Sequence, residues 1–270
     1  MSWHFTDDHA AFRHTVHPHL SSDPVRNTAL LTLLDAPGRI TGPRGWWRDP
    51  VDGRVAGVVV VLPGRAVQLG MAGDEAARAL AGVLPGVGEV AAVRGEAGAV
   101  EVFAEATGRA WAAERGVRLF RLGELVPPEP APAGAVRLAE PADVPLAVGW
   151  TREFARVVGE DPDADYTAAV ETRVADGRLW LWEVAGEPVA MASVSPVVAG
   201  QARVSLVYTP PGHRGRGYAG GVTGAASRAA LDAGAAHVVL FTDRANPTSN
   251  ALYQRLGFRP VVDHTAVAFI

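Results

Sequence analysis

One segment constrains the fold of this chain more than any other, because a strand, a glycine-rich turn and a helix follow one another there. Apolar side chains dominate residues 204–209, which is typical of a buried strand. Pro210, Pro211 and Gly212 then break the pattern. Residues 219–233 have the composition of a helix. The order predicts an α/β fold in which this turn lies at the end of a strand.

The turn itself has the chemistry of an anion site. It reads Arg214-Gly215-Arg216-Gly217-Tyr218-Ala219. The first N–H groups of a helix have no partner inside the helix and lie at the positive end of its dipole, so anions bind there. The glycines allow close backbone approach, and the arginines add positive charge. An ordinary glycine-rich turn before a helix explains the same letters when they are taken alone.

A second segment, residues 246–258, predicts a short capped helix. Asn246 is a favourable N-cap, and Pro247 suits the first helical position, where its missing N–H costs nothing. Gly257 supplies the stop. Apolar residues at helical spacing lie between them: Ala251, Leu252 and Leu256. Taken alone, this pattern also fits an ordinary amphipathic helix.

Together, the two segments resemble the GNAT superfamily of acyltransferases. Arg214, Gly217 and Ala219 occupy the specified positions of its diphosphate signature, Gln/Arg-x-x-Gly-x-Gly/Ala. Residues 246–258 resemble its second signature, Asn-x-x-x-x-x-Leu-Tyr-x-x-x-Gly-Phe. The resemblance implies an acetyl-CoA-dependent N-acetyltransferase that acetylates a primary amine of a small molecule or peptide by direct attack in a ternary complex. The alternative is a non-catalytic acetyl-CoA-binding or regulatory protein.

The resemblance also implies a role for each part of the site. Backbone groups of the first splayed strand hold the pantetheine arm and the acetyl group, the turn holds the diphosphate, and the last helix contacts the arm. Tyr253 matches the general acid that protonates the leaving thiolate, with packing of the last helix as its alternative role. No metal ligand is predicted. The predicted cofactor-binding residues are Val207, Tyr208, Thr209, Arg214, Gly215, Arg216, Gly217, Tyr218, Ala219, Asn246 and Ser249.

The sequence does not single out a general base. Where relatives carry a glutamate, this chain has Arg203 and Phe241, and neither side chain can accept a proton. A base-free mechanism, in which water removes the proton, stays open. The acidic run 160–165 would attract a cationic amine if it faced the cleft, and a solvated loop explains it equally. The other candidate bases are carboxylates that also fit a solvated surface role: Glu153, Glu160, Asp161, Asp163, Glu183 and Asp243.

A proline-rich segment divides the chain. Residues 126–135 contain four prolines, which favour an extended linker. We predict a mixed-sheet α/β fold of two tandem GNAT-like domains: a degenerate one at 1–125 and an acetyltransferase domain with splayed central strands at 136–270. Both halves predict the order β-α-α-β-β-β-α-β-α-β. In the first half, Asp74, the predicted helix cap, and Glu75 put carboxylates where a phosphate would sit, so we expect no coenzyme A there.

Composition narrows the class of protein further. The formal net charge of −4 argues against a general nucleic-acid binder. The sequence has no cysteine, which excludes disulfides, thiolate metal sites and cysteine nucleophiles. The polar, acidic N-terminus does not resemble a signal peptide, and the apolar run 55–62 is too short to span a bilayer. We therefore expect a cytoplasmic protein that acts on an amine acceptor without a membrane or nucleic-acid partner, in an oligomeric state that the sequence leaves open.

Overall fold

In a computed structural model of the chain, the structure describes residues 3–35, 40, 42–62, 66–87 and 90–270. The helices and strands of the first half follow the predicted order. They are β1 (Trp3–Thr6), α1 (His9–Ser22), α2 (Thr28–Leu34), β2 (Arg44–Arg48), β3 (Val55–Val60), β4 (Val67–Leu69), α3 (Asp74–Val83), β5 (Ala92–Glu96), α4 (Ala97–Ala106) and β6 (Trp111–Leu122).

The second half repeats the same order of elements. They are β7 (Ala135–Leu138), α5 (Val144–Val158), α6 (Thr167–Ala175), β8 (Leu179–Val184), β9 (Glu187–Val194), β10 (Gln201–Tyr208), α7 (Tyr218–Asp232), β11 (His237–Asp243), α8 (Pro247–Arg255) and β12 (Phe258–Phe269). The predicted α/β fold with mixed sheets is confirmed.

The chain folds into two compact units that are not two consecutive stretches of sequence. The first unit contains the residues up to Phe120 together with Phe241–Pro247 and Pro260–Ile270. The second contains Arg121–Leu240 and Thr248–Arg259. The predicted division at residues 126–135 and the assignment of separate roles to 1–125 and 136–270 stay predictions.

The first unit has a mixed sheet in which β12 follows β5. Its strands lie in the order β1-β2-β3-β4-β5-β12-β6. β4 and β5 are parallel, and β12 pairs with β5 antiparallel, with His264 opposite Glu96. The last strand of the chain therefore completes this unit. Buried side chains from the sheet pack against α3 and α4, and the core includes Leu69, Leu80, Val93 and Phe103.

The second unit positions the predicted site on a sheet with helices on both faces. Its strands lie in the order β11-β10-β9-β8-β7, with β10 and β11 parallel and the other pairs antiparallel. Leu179 and Leu181 of β8 belong to the core cluster formed with α5 and α6. Trp182, on the opposite face of β8, lies against Gly221 of α7.

Three details go beyond the sequence-based expectation. The predicted order begins with a strand, but no residues were assigned to it in the first half, because a strand of four residues such as β1 is too short to show a clear period. Gly73, not Asp74, is the N-cap of α3, and Asp74 is its first residue. Asp143 is the N-cap residue of α5, but its carboxylate accepts a hydrogen bond from the Glu140 N–H (2.8 Å) and none from the N–H groups of α5.

Candidate active site

The C-terminal end of β10 leaves the regular sheet. β10 pairs with β11 from Gln201 opposite His237 to Val204 opposite Leu240, and then continues to Tyr208. Its pairing with β9 shifts register after Ser205. Leu206 has φ 51°, in the left-handed region. Such a bulge leaves one residue of the strand unpaired and redirects its neighbours, so backbone groups become available at the predicted acetyl site.

The turn after β10 has the backbone that an anion site requires. Gly215 (φ 77°) and Gly217 (φ 84°) both adopt the left-handed region, which glycine enters without a Cβ penalty. Gly217 is the N-cap of α7 and has no side chain with which to bond the first N–H groups of the helix. Tyr218 is buried, whereas Arg216 is exposed. The turn therefore presents free helix N–H groups beside an exposed positive charge.

Two buried polar atoms near this turn fit a bound ligand. The hydroxyl oxygen of Thr209 and Nδ1 of His213 are both buried and bonded to no described residue. Buried polar atoms are almost always hydrogen-bonded, so a ligand or water at this place would satisfy them. Arg214 turns back to the strand and donates from Nε to the carbonyl oxygen of Thr209 (2.9 Å). No sequence pattern pointed to His213, which lies outside the diphosphate signature.

Tyr208 connects the end of β10 with α5. Its ring is buried against Trp150 (centroids 6.2 Å apart), and its hydroxyl donates a short hydrogen bond to Oε2 of Glu153. Burial and this bond to a carboxylate raise the pKa of Tyr208 to about 12, although the charge of Arg214 opposes the shift. Among the predicted carboxylates, Glu153 is thus the one that the described structure brings to β10.

Tyr253 lies on α8 with its side chain buried. Its ring packs edge-to-face on Phe258, with centroids 6.1 Å apart. Burial raises the pKa of Tyr253 to about 12, so its hydroxyl stays protonated at neutral pH. A general acid has to begin in this state. The packing role and the acid role are therefore compatible.

The remaining two predicted residues lie around the start of α8. Pro247 is its first residue, as predicted, and Asn246 precedes it, with its backbone N–H donating to the Asp243 carbonyl oxygen (3.1 Å). Ser249 is in the first turn of the helix. Asn246 belongs to the first unit, whereas all the other predicted site residues belong to the second.

Residues 146–258, which contain all of this geometry, match a family model described as Acetyltransferase (GNAT) family. This segment is a GNAT domain. The family consists of acetyltransferases that use acetyl-CoA. No curated protein matches the chain.

Solved structures with the same fold span almost the whole chain. An acetyltransferase of the GNAT family from Colwellia psychrerythraea is 12% identical and covers 100% of this chain and 99% of its own, with a TM-score of 0.65. A GCN5-related N-acetyltransferase from Sphaerobacter thermophilus is 18% identical, with 98% and 94% coverage and a TM-score of 0.69. A Drosophila protein is 14% identical, with 99% and 98% coverage and a TM-score of 0.69. At these identities the likeness concerns the fold.

Two of the candidate bases are held in ion pairs. Glu183 accepts a hydrogen bond from Nε of Arg137 (2.5 Å), and Asp243 accepts from Nε of Arg115 (2.8 Å). In each pair the carboxylate oxygen is already occupied by an arginine N–H, so it is not open to a substrate. Neither group is therefore well placed to act as the base.

The acidic run after α5 is organised by its own backbone. The side chain of Asp161 accepts from the Asp163 N–H (2.9 Å), and that of Asp165 accepts from the Thr167 N–H (2.9 Å). The bonds from Thr167 lower the pKa of Asp165. These contacts match the solvated loop that the sequence also allowed.

The proline-rich segment, residues 126–134, packs on the GNAT domain. The N–H of Val126 donates to the Leu256 carbonyl (3.0 Å), and Nε1 of Trp182 donates to the Ala133 carbonyl (2.8 Å). A Cβ placed on Gly220 would lie 3.3 Å from the ring of Pro128, and one on Gly217 would lie 3.4 Å from Pro132. The segment thus covers the first turns of α7, and Trp182 serves packing.

The corresponding place in the first unit is filled. Arg26 forms a two-pronged ion pair with Glu96 at the end of β5, and the Leu30 side chain lies where a Cβ on Gly70 would sit. The cavity that remains beside them has a volume of about 10 Å³. A volume of this size holds about one water molecule.

The described part of the chain contains no group of three or more histidine, aspartate or glutamate side chains arranged to hold a metal ion. None of its helices combines the length and the apolar character needed to cross a membrane.

Proposed function

We propose that this protein transfers the acetyl group of acetyl-CoA to a primary amine of a small molecule or peptide, by direct attack in a ternary complex. The observation that carries the proposal is the bulged end of β10 followed by two left-handed glycines and the N-terminus of α7, which has no side-chain cap, all within the GNAT domain. This arrangement combines backbone groups for a carbonyl with an anion site for a diphosphate.

The cofactor would be held mainly by backbone. The residues of the turn, Arg214 to Ala219, would bind the diphosphate through the N–H groups of α7. Val207, Tyr208 and Thr209 would bond the pantetheine arm and the thioester carbonyl. Asn246 and Ser249 would contact the arm. The unpaired Thr209 hydroxyl and His213 Nδ1 support a polar ligand beside the turn.

Acetyl-CoA supplies an activated acetyl group, whose carbon–sulfur bond breaks as the carbon–nitrogen bond to the amine forms. Backbone N–H groups at the bulge would stabilise the negative charge that develops on the carbonyl oxygen. Tyr253, which is protonated at neutral pH, would donate its proton to the leaving thiolate and regain one from solvent. The first unit would not bind coenzyme A, which is supported by its filled cleft and by Asp74 and Glu75 in the first turn of α3.

Calorimetry with acetyl-CoA and a free-thiol release assay over a panel of amines test the proposal together. We expect one binding site per chain and thiol release with at least one amine. Binding without thiol release on any amine would support a non-catalytic acetyl-CoA-binding protein. Absence of binding would refute the assignment of the turn.

A pair of glycine variants tests the turn more closely. In Gly217→Ala, the positive φ costs roughly 1–2 kcal/mol, which is relieved only if the turn moves its N–H groups away. We expect acetyl-CoA affinity to fall about tenfold, which corresponds to about 1.4 kcal/mol. Gly159→Ala is the control, because Gly159 has a similar φ (73°), no atom within 4 Å of the added Cβ, and a place at the end of α5. Equal affinities in the two variants would contradict the assignment.

A further inference from the structure

Glu153 is placed beside the end of β10 by the packing of α5. The buried residues of this helix, among them Trp150 and Ala155, face the sheet, and the Trp150 ring packs at a tilt against Tyr208. Glu153, three residues after Trp150, is exposed to solvent but bonded to the Tyr208 hydroxyl. A surface carboxylate therefore lies next to the strand end that would hold the acetyl group.

Helix α5, which carries Glu153, and helix α7, which follows the glycine-rich turn, lie on opposite faces of the sheet. Leu181 of β8 packs with α5, whereas the next residue, Trp182, points to the opposite face and lies against α7. Tyr208 packs with α5 as well. The diphosphate would be held at the start of α7, so the face with α5 is the one from which an acceptor can reach the same strand end.

The carboxylate of Glu153 has bonding capacity to spare. Among the described residues, the Tyr208 hydroxyl is its one donor, on Oε2, and no arginine lies within ion-pair distance. Glu183 and Asp243, in contrast, are neutralised by Arg137 and Arg115. Apart from Glu153, residues 152–165 contain four carboxylates and two arginines, so this segment carries a net negative charge, while Arg214 of the turn interacts with the Tyr208 hydroxyl.

From this arrangement we propose that Glu153 binds the ammonium group of the acceptor, and that the acceptor of this enzyme is a cationic amine. The inference rests on the proposed acetyltransferase function. A carboxylate oxygen forms a charge-assisted hydrogen bond with an ammonium group, and the Tyr208 hydroxyl fixes the orientation of the carboxylate. Because Glu153 is exposed, the proton that the ammonium group loses before attack passes through the carboxylate to water.

The test compares two aromatic amines, benzylamine, which is cationic at neutral pH, and aniline, which is uncharged there. Initial rates are measured for the wild type and for Glu153→Gln, which removes the charge but can still accept the Tyr208 hydrogen bond. We expect the KM for benzylamine to rise about tenfold in the variant, since a hydrogen bond to a charged group of this kind is lost. The KM values for aniline and for acetyl-CoA should not change.

Glu171→Gln is the matched control, because Glu171 is an exposed carboxylate on α6 and the change alters the net charge by the same amount. It should leave the KM for benzylamine as in the wild type. Should the wild type acetylate neither amine, benzylamine binding to the complex with coenzyme A is measured by calorimetry instead, with the same expected loss in Glu153→Gln. An unchanged benzylamine constant, or equal changes for benzylamine and aniline, overturns the proposal. Failure of coenzyme A to bind at all is a different result, which overturns the proposed function.

Discussion

Gly257, which follows α8, is the position where a single methyl group should disturb this protein most. Its φ is 98°, and a Cβ placed there would lie 1.8 Å from the carbonyl oxygen of Glu124. The opposing chain is fixed by two backbone bonds, from the Gly123 N–H to the Gly257 carbonyl and from the Val126 N–H to the Leu256 carbonyl, both 3.0 Å long. Gly257→Ala therefore forces residues 123–126 to move.

The size of the effect has two parts. An alanine with a positive φ costs roughly 1–2 kcal/mol. Displacing residues 123–126 breaks two hydrogen bonds worth about 1 kcal/mol each. The sum is about 3–4 kcal/mol of unfolding free energy. Gly234→Ala provides the control, because Gly234 also follows a helix, has a φ of 89° and has no atom within 4 Å of the added Cβ. It should lose only the first part.

Thermal unfolding of the two variants measures the difference. About 2 kcal/mol separates them, which for a protein of this size corresponds to about 4–8 °C in Tm. The comparison isolates the contact with Glu124, since the backbone strain is common to both variants. Equal Tm values for Gly257→Ala and Gly234→Ala would refute the reasoning, because they would mean that residues 123–126 can be displaced without a loss of unfolding free energy.

Further predictions concern Tyr253 and Asp143. Tyr253→Phe should lower kcat by about 10²-fold, the usual range for a general acid, without weakening acetyl-CoA binding in calorimetry; wild-type turnover would remove Tyr253 from the mechanism. Because burial raises the pKa of Tyr253 to about 12, kcat should not fall through its ionisation as pH rises past 10.0, and a fall there would contradict the assignment. The hydrogen bond from Arg137 lowers the pKa of Asp143 below 3.8, so its contribution to stability is present above that pH and lost below it. Asp143→Asn should therefore be less stable than the wild type by about 1 kcal/mol at neutral pH, with denaturation curves that converge in acid; a constant gap would count against the pairing.

The features of the fold that the sequence predicts are those that depend on residues close together in the chain. The apolar residues of β10, the proline break and the small residues of α7 each depend on local sequence, so the end of the strand and both ends of the helix were predicted to within one residue. The same holds for the repeated order of elements in both halves. Caps are less secure, because Gly73 and Asp74 are both acceptable at the start of α3 and only the backbone angles distinguish them.

Strand order could not be predicted in this way. His264 to Val267 in β12 are all buried, which indicates a strand covered on both faces but does not name its neighbours. The pairing of β12 with β5, which joins the end of the chain to the first unit, connects residues that are far apart in the sequence, and local patterns do not reveal such pairings. The contacts of the proline-rich segment are similar: four prolines predict extended chain, but not that Pro128 lies against the glycine face of α7.

In the candidate site, the sequence does not distinguish Glu153 from the other carboxylates, whereas the structure does. Sequence alone offered six carboxylates with equal claims, because each occurs where a solvated charge is expected. Along α5, Glu153 comes three residues after the buried Trp150, a spacing at which side chains of a helix are neighbours, so its exposed carboxylate can still reach an inward-facing group beside Trp150. This inward-facing group is the hydroxyl of Tyr208, a residue to which the family resemblance assigns a role only for the backbone. The contact with the Tyr208 side chain therefore distinguishes Glu153 from the other carboxylates, and the family resemblance does not imply this contact. A test at Glu153 thus concerns a feature of this chain and not a general feature of the family.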